Sequence, residues 1–272
     1  MGYIRPVGLK NGISAEASTP RRCVTMEHYP KAPILEAVLD IQVRASTAPS
    51  QDVFLELARS LSTEFPQFAD LNLNHLQVSL AATSELSSVA HSFQVSGLRL
   101  YRPQNDRVLL IQPRGMTLSH LPPYTSWEDL QPEARRLWER YVEFVKPEGV
   151  TRVALRYINK IDLPHPKIEL RDYFKLYPEI PSDIPQEVNA FFLQLQMPQF
   201  DLAPDLMAAI NFTPTTRRDE RTVSIVLDLD LYAVRGLPTS SDEVFKLLNL
   251  IRTRKNELFE ACITDKARGL FR

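Results

Sequence analysis

The stretch VALRYINKIDLP, residues 153–164, opens the second of two similar series of predicted strands and helices. Apolar and polar residues alternate in this stretch, which is typical of a strand with one buried face. An earlier stretch, EAVLDIQV at residues 36–43, has the same texture. Each of these strands is followed by a predicted helix, further strands and a closing helix. We therefore predict an α+β protein of two tandem β-α-β-β-β-α repeats, in which helices cover a mostly antiparallel sheet.

Hydrophobic spacing predicts the elements of the first unit. After the strand at 36–43, apolar residues at helical spacing indicate a helix that ends before Pro66. Alternating patterns then indicate strands at 76–80, 93–100 and 108–111. The closing helix is predicted from a stripe of apolar residues at Leu130, Ala134, Leu137, Tyr141 and Val145.

The second unit follows the same order. Its strands are predicted at 153–158, 191–195, 206–212 and 223–232, and a short helix at 170–177. The last helix carries an apolar stripe that runs from Val244 to Cys262.

Several positions of the two units repeat at a nearly constant separation. Ser126 and Ser240 are 114 residues apart (240 − 126), and an acidic residue follows each of them three positions later. This spacing predicts a capping box at the start of each closing helix. Other matches at 114 or 115 residues are Val38 with Val153, Phe93 with Met207, and Arg107 with Arg221. The alternative is an ordinary α+β domain whose turns coincide in spacing.

The domain boundaries follow from this repeat. We expect a first repeat at 26–149 and a second at 150–272, because the texture changes at Met26. Residues 1–25 contain scattered glycine and proline without periodicity, which predicts a disordered extension or a tag; a native disordered arm is the alternative.

Composition narrows the classes of function. The net charge is −1, with 32 basic and 33 acidic residues, so no global field attracts nucleic acid, and a nucleic-acid partner would need a local basic patch. Cys23 and Cys262 lie far apart, which fits a reducing compartment and predicts a cytoplasmic protein. The sequence has no apolar run of about 18 residues, so no membrane partner is expected.

The junction of the repeats, residues 146–166, is the first candidate site. Arg156 would hold an anion or carboxylate of a ligand, while Asn159 and Asp162 would hydrogen-bond it. Alternation places Arg156 and Asn159 on opposite faces of the strand. The alternative is that Arg156 forms a salt bridge with an acidic neighbour and that Asn159 and Asp162 shape the turn after the strand.

Two further groups carry charge. Arg217, Arg218 and Arg221 cluster at a predicted turn and could contact phosphate or another anion. Arg252, Arg254 and Lys255 of the last helix could join them if the two groups converge. The alternative is a solvated surface, because acidic residues are interleaved. Asp228 and Asp230 share one strand face, which suits either a divalent cation and acid–base chemistry or a sheet with one wet face.

Motifs of known chemistry are missing from the sequence. The five histidines are not at metal spacing, no serine sits in a nucleophile elbow, and there is neither a phosphate-binding loop nor a dinucleotide fingerprint. We therefore expect no metal and no cofactor.

Three stretches carry a family resemblance: KAPILEAV at 31–38, residues 156–164 as quoted above, and FEACITDKA at 259–267. They resemble a sporadically distributed bacterial family of conserved hypothetical proteins, and the resemblance covers roughly residues 26–272. Patchy distribution is typical of defence or toxin–antitoxin cassettes, and the resemblance implies no catalytic residues.

These patterns favour a non-enzymatic binding or regulatory protein that recognises a protein partner or a small ligand at the junction of the repeats. One alternative is an enzyme that acts on a phosphorylated or nucleic-acid substrate through Asp228, Asp230 and the arginines of the 217–221 turn. Another is a structural subunit that forms a homo-oligomer through an exposed sheet edge.

Overall fold

The computed structural model describes residues 29–45, 49–71, 97–164, 168–215 and 223–272, and these ranges contain nine strands and five helices. The strands are β1 (Ile34–Arg44), β2 (Gln67–Asp70), β3 (Leu98–Tyr101), β4 (Arg107–Gln112), β5 (Gly115–His120), β6 (Gly149–Leu163), β7 (Leu193–Pro198), β8 (Leu206–Pro214) and β9 (Val223–Leu237). The helices are α1 (Gln51–Ser60), α2 (Trp127–Val145), α3 (Leu170–Tyr173), α4 (Ser241–Cys262) and α5 (Asp265–Arg268). The predictions for residues 1–25 and for a strand at 76–80 fall outside the described residues.

The nine strands form one antiparallel sheet in the order β2-β3-β4-β5-β1-β6-β9-β8-β7. At its centre β1 pairs with β6, and Leu39 lies opposite Leu155. An α+β protein with a large antiparallel sheet is therefore confirmed.

Alternation along the strands gives the sheet two different faces. On one face Leu39, Ile41, Leu155 and Tyr157 are buried beneath the helices. Helix α2 contacts β5, α4 contacts β6 and β9, and α2 also packs against α1 and α4. The opposite face, here called the polar face, carries Asp40, Arg152, Arg156, Asp228 and Asp230. Among the described helices, none is long and apolar enough to cross a membrane.

Helix α2 is capped by Ser126, as the sequence predicts. The Ser126 hydroxyl accepts a hydrogen bond from the Asp129 N–H at 3.1 Å, and every residue of the predicted apolar stripe is buried. The capping box predicted at Ser240 is wrong, because the Ser240 side chain makes no capping hydrogen bond. Its backbone (φ −55°, ψ 126°) differs from the fully extended Ser126 (φ −158°, ψ 167°).

Strand β5 was missed by the sequence interpretation, since Thr117, Ser119 and His120 interrupt its apolar residues. Its position changes the comparison of the two halves. β5 lies beside β1 as β9 lies beside β6, whereas β4 is one strand further out. Arg107 begins β4, and the strand order does not test its predicted match with Arg221. Arg221 itself, like Phe93, lies outside the described residues.

Gly115 allows β5 to approach β1 closely. Its φ is +147°, and a Cβ at this position would lie 2.1 Å from the Ile41 carbonyl oxygen. Only glycine tolerates both the backbone conformation and this contact. The β1–β5 pairing therefore depends on the absence of a side chain here.

Gly115→Ala is expected to lower the free energy of unfolding by roughly 2–4 kcal/mol, because it adds a steric clash and backbone strain. The matched control is Gly236→Ala in β9, where a Cβ would meet no atom within 4 Å. Urea denaturation of both variants measures the effect, and equal midpoints would contradict this account.

Candidate functional site

The three residues predicted to bind a ligand at the repeat junction do not converge. Arg156 and Asp162 point to the polar face of β6, whereas Asn159 is only 3% exposed and faces the helices. The physical reason is the two-residue period of a strand, which sends odd-numbered and even-numbered side chains to opposite faces.

Arg156 forms a two-pronged ion pair with Asp228 of the neighbouring strand. Its Nε and Nη2 donate to the two carboxylate oxygens at 2.8 and 2.7 Å. Asn211 Nδ2 donates to the same carboxylate at 2.9 Å. These hydrogen bonds raise the pKa of Arg156 and satisfy a carboxylate that is almost fully buried. Arg156 thus makes the salt bridge of the alternative interpretation.

Asp230 is held in a second cluster on the polar face. Arg152 donates to Asp40 at 2.7 Å and lies 3.6 Å from Asp230. Burial raises the pKa of Asp230, and the positive charge of Arg152 opposes this rise. Across the described ranges, no group of three or more His, Cys, Asp or Glu side chains could hold a metal ion. Asp228 forms an ion pair with Arg156, and Asp230 with Arg152.

The remaining predicted charges are dispersed. Asp162 accepts a hydrogen bond from Ser224 and lies 3.1 Å from Lys160. Arg217, Arg218 and Arg221 lie outside the described residues. On α4, Arg254 pairs with Asp201 at 2.6 Å and Arg252 with Glu128 at 3.3 Å. Lys255, grouped with these arginines in the sequence, is buried and lines the same cavity as Arg252.

A cavity of about 360 Å³ lies on the helix-covered side, at the end of the β1–β6 pair. Its walls are residues 29–34 at the start of β1, the 122–128 loop before and into α2, the end of β6, and α4. A backbone hydrogen bond from Lys160 to Pro33 at 2.8 Å holds the first of these segments against β6. We call this space the junction cavity, because both central strands contribute to it.

A second cavity, of about 510 Å³, lies at the other end of β6. Its lining includes Arg44 and Glu148, whose side chains pair with each other and are 72% and 46% exposed. Arg235, also in its lining, pairs with Asp205 at 2.7 Å. Because these charges are largely solvated and matched, this cavity offers less to a ligand than the junction cavity.

Two tyrosine hydroxyls meet in the wall of the junction cavity. Tyr124 and Tyr157 are 2.9 Å apart at their hydroxyl oxygens, and their rings pack edge to face. Burial raises the pKa of Tyr124 to about 12 and that of Tyr157 well above its usual value, so both hydroxyls stay protonated at neutral pH. One hydrogen joins the pair, and the other is left for a further acceptor.

His120 supports Tyr124 from behind. It is fully buried, its ring lies 4.8 Å from that of Tyr124, and Nε2 lies 3.2 Å from the Pro123 carbonyl oxygen. Burial and the nearby Arg107 lower the pKa of His120 to about 4. The imidazole is therefore neutral and fixes the ring it packs against.

Asn159 is the one predicted ligand residue that lines this cavity. Its amide nitrogen donates to the main-chain carbonyls of Leu227 at 2.9 Å and Tyr157 at 3.3 Å. Because both amide hydrogens are used by the backbone, Asn159 can offer a ligand only its amide oxygen.

Lys255 is the most unusual group of the cavity. Its side chain is 8% exposed, and its Nζ lies 3.7 Å from the centre of the Tyr157 ring. Within the described part of the chain, the amine has neither an ion pair nor a hydrogen bond. Burial lowers the pKa of Lys255 to about 7, and Arg252, one helical turn away, adds to the lowering while Glu260 opposes it. Buried amines are normally paired with a carboxylate, which makes Lys255 the candidate ligand contact of this cavity.

No model of a known protein family matches the chain, and no curated protein matches it. The family resemblance therefore stays a prediction, and the site is argued from its geometry.

The sequence interpretation grouped Lys255 with Arg252 and Arg254 as a possible anion contact and did not predict its burial, although a signal was present. Along α4 the buried residues Val244, Leu248, Ile251, Phe259 and Cys262 follow helical spacing, and Lys255 occupies the one position of this stripe that is not apolar. A lysine inside an apolar stripe points to either a buried amine or a gap in the packing.

Arg156→Gln is expected to lower the free energy of unfolding by about 1–3 kcal/mol, because it leaves the buried Asp228 carboxylate with Asn211 alone. Adding Asp228→Asn should recover part of this loss, since the buried charge is then gone. The control is Arg44→Gln, whose exposed pair should be worth about 0.5 kcal/mol or less. Chemical denaturation showing equal losses for the two arginine variants would refute the assignment.

Proposed function

We propose that this protein binds a small organic ligand in the junction cavity and acts as a non-enzymatic binding or regulatory protein. The observation that carries the proposal is the buried amine of Lys255, which lines the cavity without a counter-ion. Within the described residues the amine meets the face of the Tyr157 ring at 3.7 Å and no carboxylate, so a ligand that contacts the amine would account for its position.

The walls suggest the kind of ligand. Aromatic side chains line much of the cavity, and its volume of about 360 Å³ lies in the range of small-molecule sites. The rings that line it are Tyr29, Tyr124, Trp127, Tyr157 and Phe259. Glu128 and Glu260 are paired with Arg252 and Arg268, which leaves Lys255 as the buried basic group available to a ligand. A compact molecule with a planar or apolar body and one polar group suits this arrangement.

We further infer that the two halves, 26–149 and 150–272, arose by duplication and that the cavity formed where they meet. Strand pairing supports this inference. Ala37 of β1 pairs with His120 of β5, and Arg152 of β6 pairs with Val234 of β9. Arg152 lies 115 residues after Ala37, and Val234 lies 114 residues after His120 (152 − 37 and 234 − 120). The equivalent positions of the two halves are thus separated by the same distance as the helix starts at Ser126 and Ser240. Both halves contribute walls to the cavity.

Blocking the cavity tests the binding proposal. The full chain is incubated with a small-molecule extract of bacterial cells, freed of unbound compounds and denatured, and the released compounds are identified by mass spectrometry. We expect at least one compound to be enriched by the wild-type chain and lost with Asn256→Trp or Thr125→Trp, which fill the cavity from opposite walls.

Thr253→Trp is the matched control, because Thr253 is an exposed residue of the same helix outside the cavity lining. It should retain the enriched compound, and thermal unfolding confirms that all variants fold. Enrichment that is absent, or equal in the blocked and control variants, would contradict the proposal.

A further inference from the structure

We propose that Lys255 binds a carbonyl compound, an aldehyde or a ketone, by forming a reversible imine through its Nζ atom. This inference rests on the proposed function, since it names the chemical class of the ligand in the same cavity.

The position of Lys255 keeps its amine available. The side chain lies between Ile251 and Phe259 on the buried stripe of α4, and its Nζ packs on the Tyr157 ring at 3.7 Å. The amine forms no covalent bond with the Tyr157 ring, and a ligand can replace the ring as the group that contacts it. In the described residues no carboxylate lies within ion-pair distance of Nζ, so no acidic group blocks its lone pair.

Four elements face Lys255, and three of them carry charge. On α4, Arg252 lowers the pKa of the amine and Glu260 raises it, but Glu260 is held by Tyr29 and Arg268 at 2.8 Å each. From the 122–128 loop, Glu128 is paired with Arg252. From β6 come the ring of Tyr157 and the amide of Asn159, which carry no charge at neutral pH.

The segment at the start of β1 adds Lys31, an exposed residue of the cavity lining and a further positive charge. The balance of burial and neighbouring positive charge leaves about half of the amine unprotonated near pH 7. A lysine that is desolvated beside another cation is a recognised way to obtain a nucleophilic amine.

The reaction is balanced without any further reactant. The nitrogen lone pair attacks the carbonyl carbon, and a carbon–nitrogen bond forms as the carbonyl oxygen becomes a hydroxyl. The nitrogen then loses its remaining proton, and the oxygen leaves as water, so amine and carbonyl give imine and water. The Tyr124–Tyr157 pair has one hydroxyl hydrogen left to bond the carbonyl oxygen, and both hydroxyls stay protonated at neutral pH.

The test uses the full chain, benzaldehyde as the probe and sodium cyanoborohydride, which reduces the imine to a stable secondary amine. Peptide mapping by mass spectrometry measures labelling at each lysine. We expect Lys255 to be labelled at least about tenfold faster than Lys246, an exposed lysine of the same helix. Its labelling rate should rise with pH around a midpoint of about 7.

Two variants sharpen the result. Asn256→Trp, which fills the cavity, should reduce labelling of Lys255 at least about tenfold, and Thr253→Trp should leave it unchanged. Labelling of Lys255 that is no faster than that of Lys246, or that persists in Asn256→Trp, would overturn the imine proposal.

A second probe separates this failure from failure of the cavity itself. Benzyl alcohol and benzoate have the same ring but form no imine, and their binding is followed by ligand-observed NMR. If either binds the wild-type chain but not Asn256→Trp while Lys255 stays unlabelled, the imine is wrong and the binding cavity stands. If none of the three probes distinguishes these two chains, both proposals lose their support.

Discussion

The pairing of β1 with β6 is the interaction on which the rest of the structure depends. These two strands join the parts of the sheet at its centre, with Leu39 opposite Leu155 and Asp40 opposite Ala154. Each strand then receives its own neighbour, β5 on one side and β9 on the other. Successive side chains of a strand point to opposite faces of the sheet. The register of the β1–β6 pair therefore decides which side chains lie beneath the helices and which lie on the polar face.

The same pairing creates the junction cavity. Where β1 begins, Ile34 pairs with Asn159 and the register shifts, and residues 29–33 before it lie outside the strand, with Pro33 bonded to Lys160 of β6. Helix α4 and the 122–128 loop cover this corner from the helical side. A cavity with walls from distant parts of the chain follows from the topology, and it could not be found from any local motif.

The buried amine of Lys255 lowers the stability of the folded chain at neutral pH. A buried amine with a lowered pKa means that the unfolded chain binds more protons than the folded chain between about pH 7 and pH 10.5. Its contribution therefore makes folding more favourable as pH rises through this window and less favourable as pH falls toward 7. Proteins accept such local losses at functional sites, where rules of packing and charge are broken for a reason.

Parts of this picture could be predicted from the sequence because they depend on local periodicity. The buried stripe of α2 and the alternation of β6 follow directly from the spacing of apolar residues. Strand β5 was missed because its outward residues are polar and its start is a glycine. The partner of Arg156 was foreseen in kind, as an acidic neighbour, but Asp228 is 72 residues away and only the strand order identifies it.

The apolar stripe of α4 gave a signal for a buried Lys255 but could not decide between a buried amine and a gap in the packing. Whether a helical lysine is solvated depends on which face of α4 meets the sheet, and that is decided by β6 and β9.

The most direct test of the account is the pKa of Lys255 in the folded chain. Lysine labelled with ¹³C at Cε is introduced, the Lys255 signal is assigned by its loss in Lys255→Met, and its ¹H–¹³C resonance is followed as the pH is raised. A midpoint of about 7 is predicted, in line with a buried amine that lacks a counter-ion. A midpoint near the ordinary lysine value of 10.5 would show that the amine is solvated or paired and would contradict the central claim.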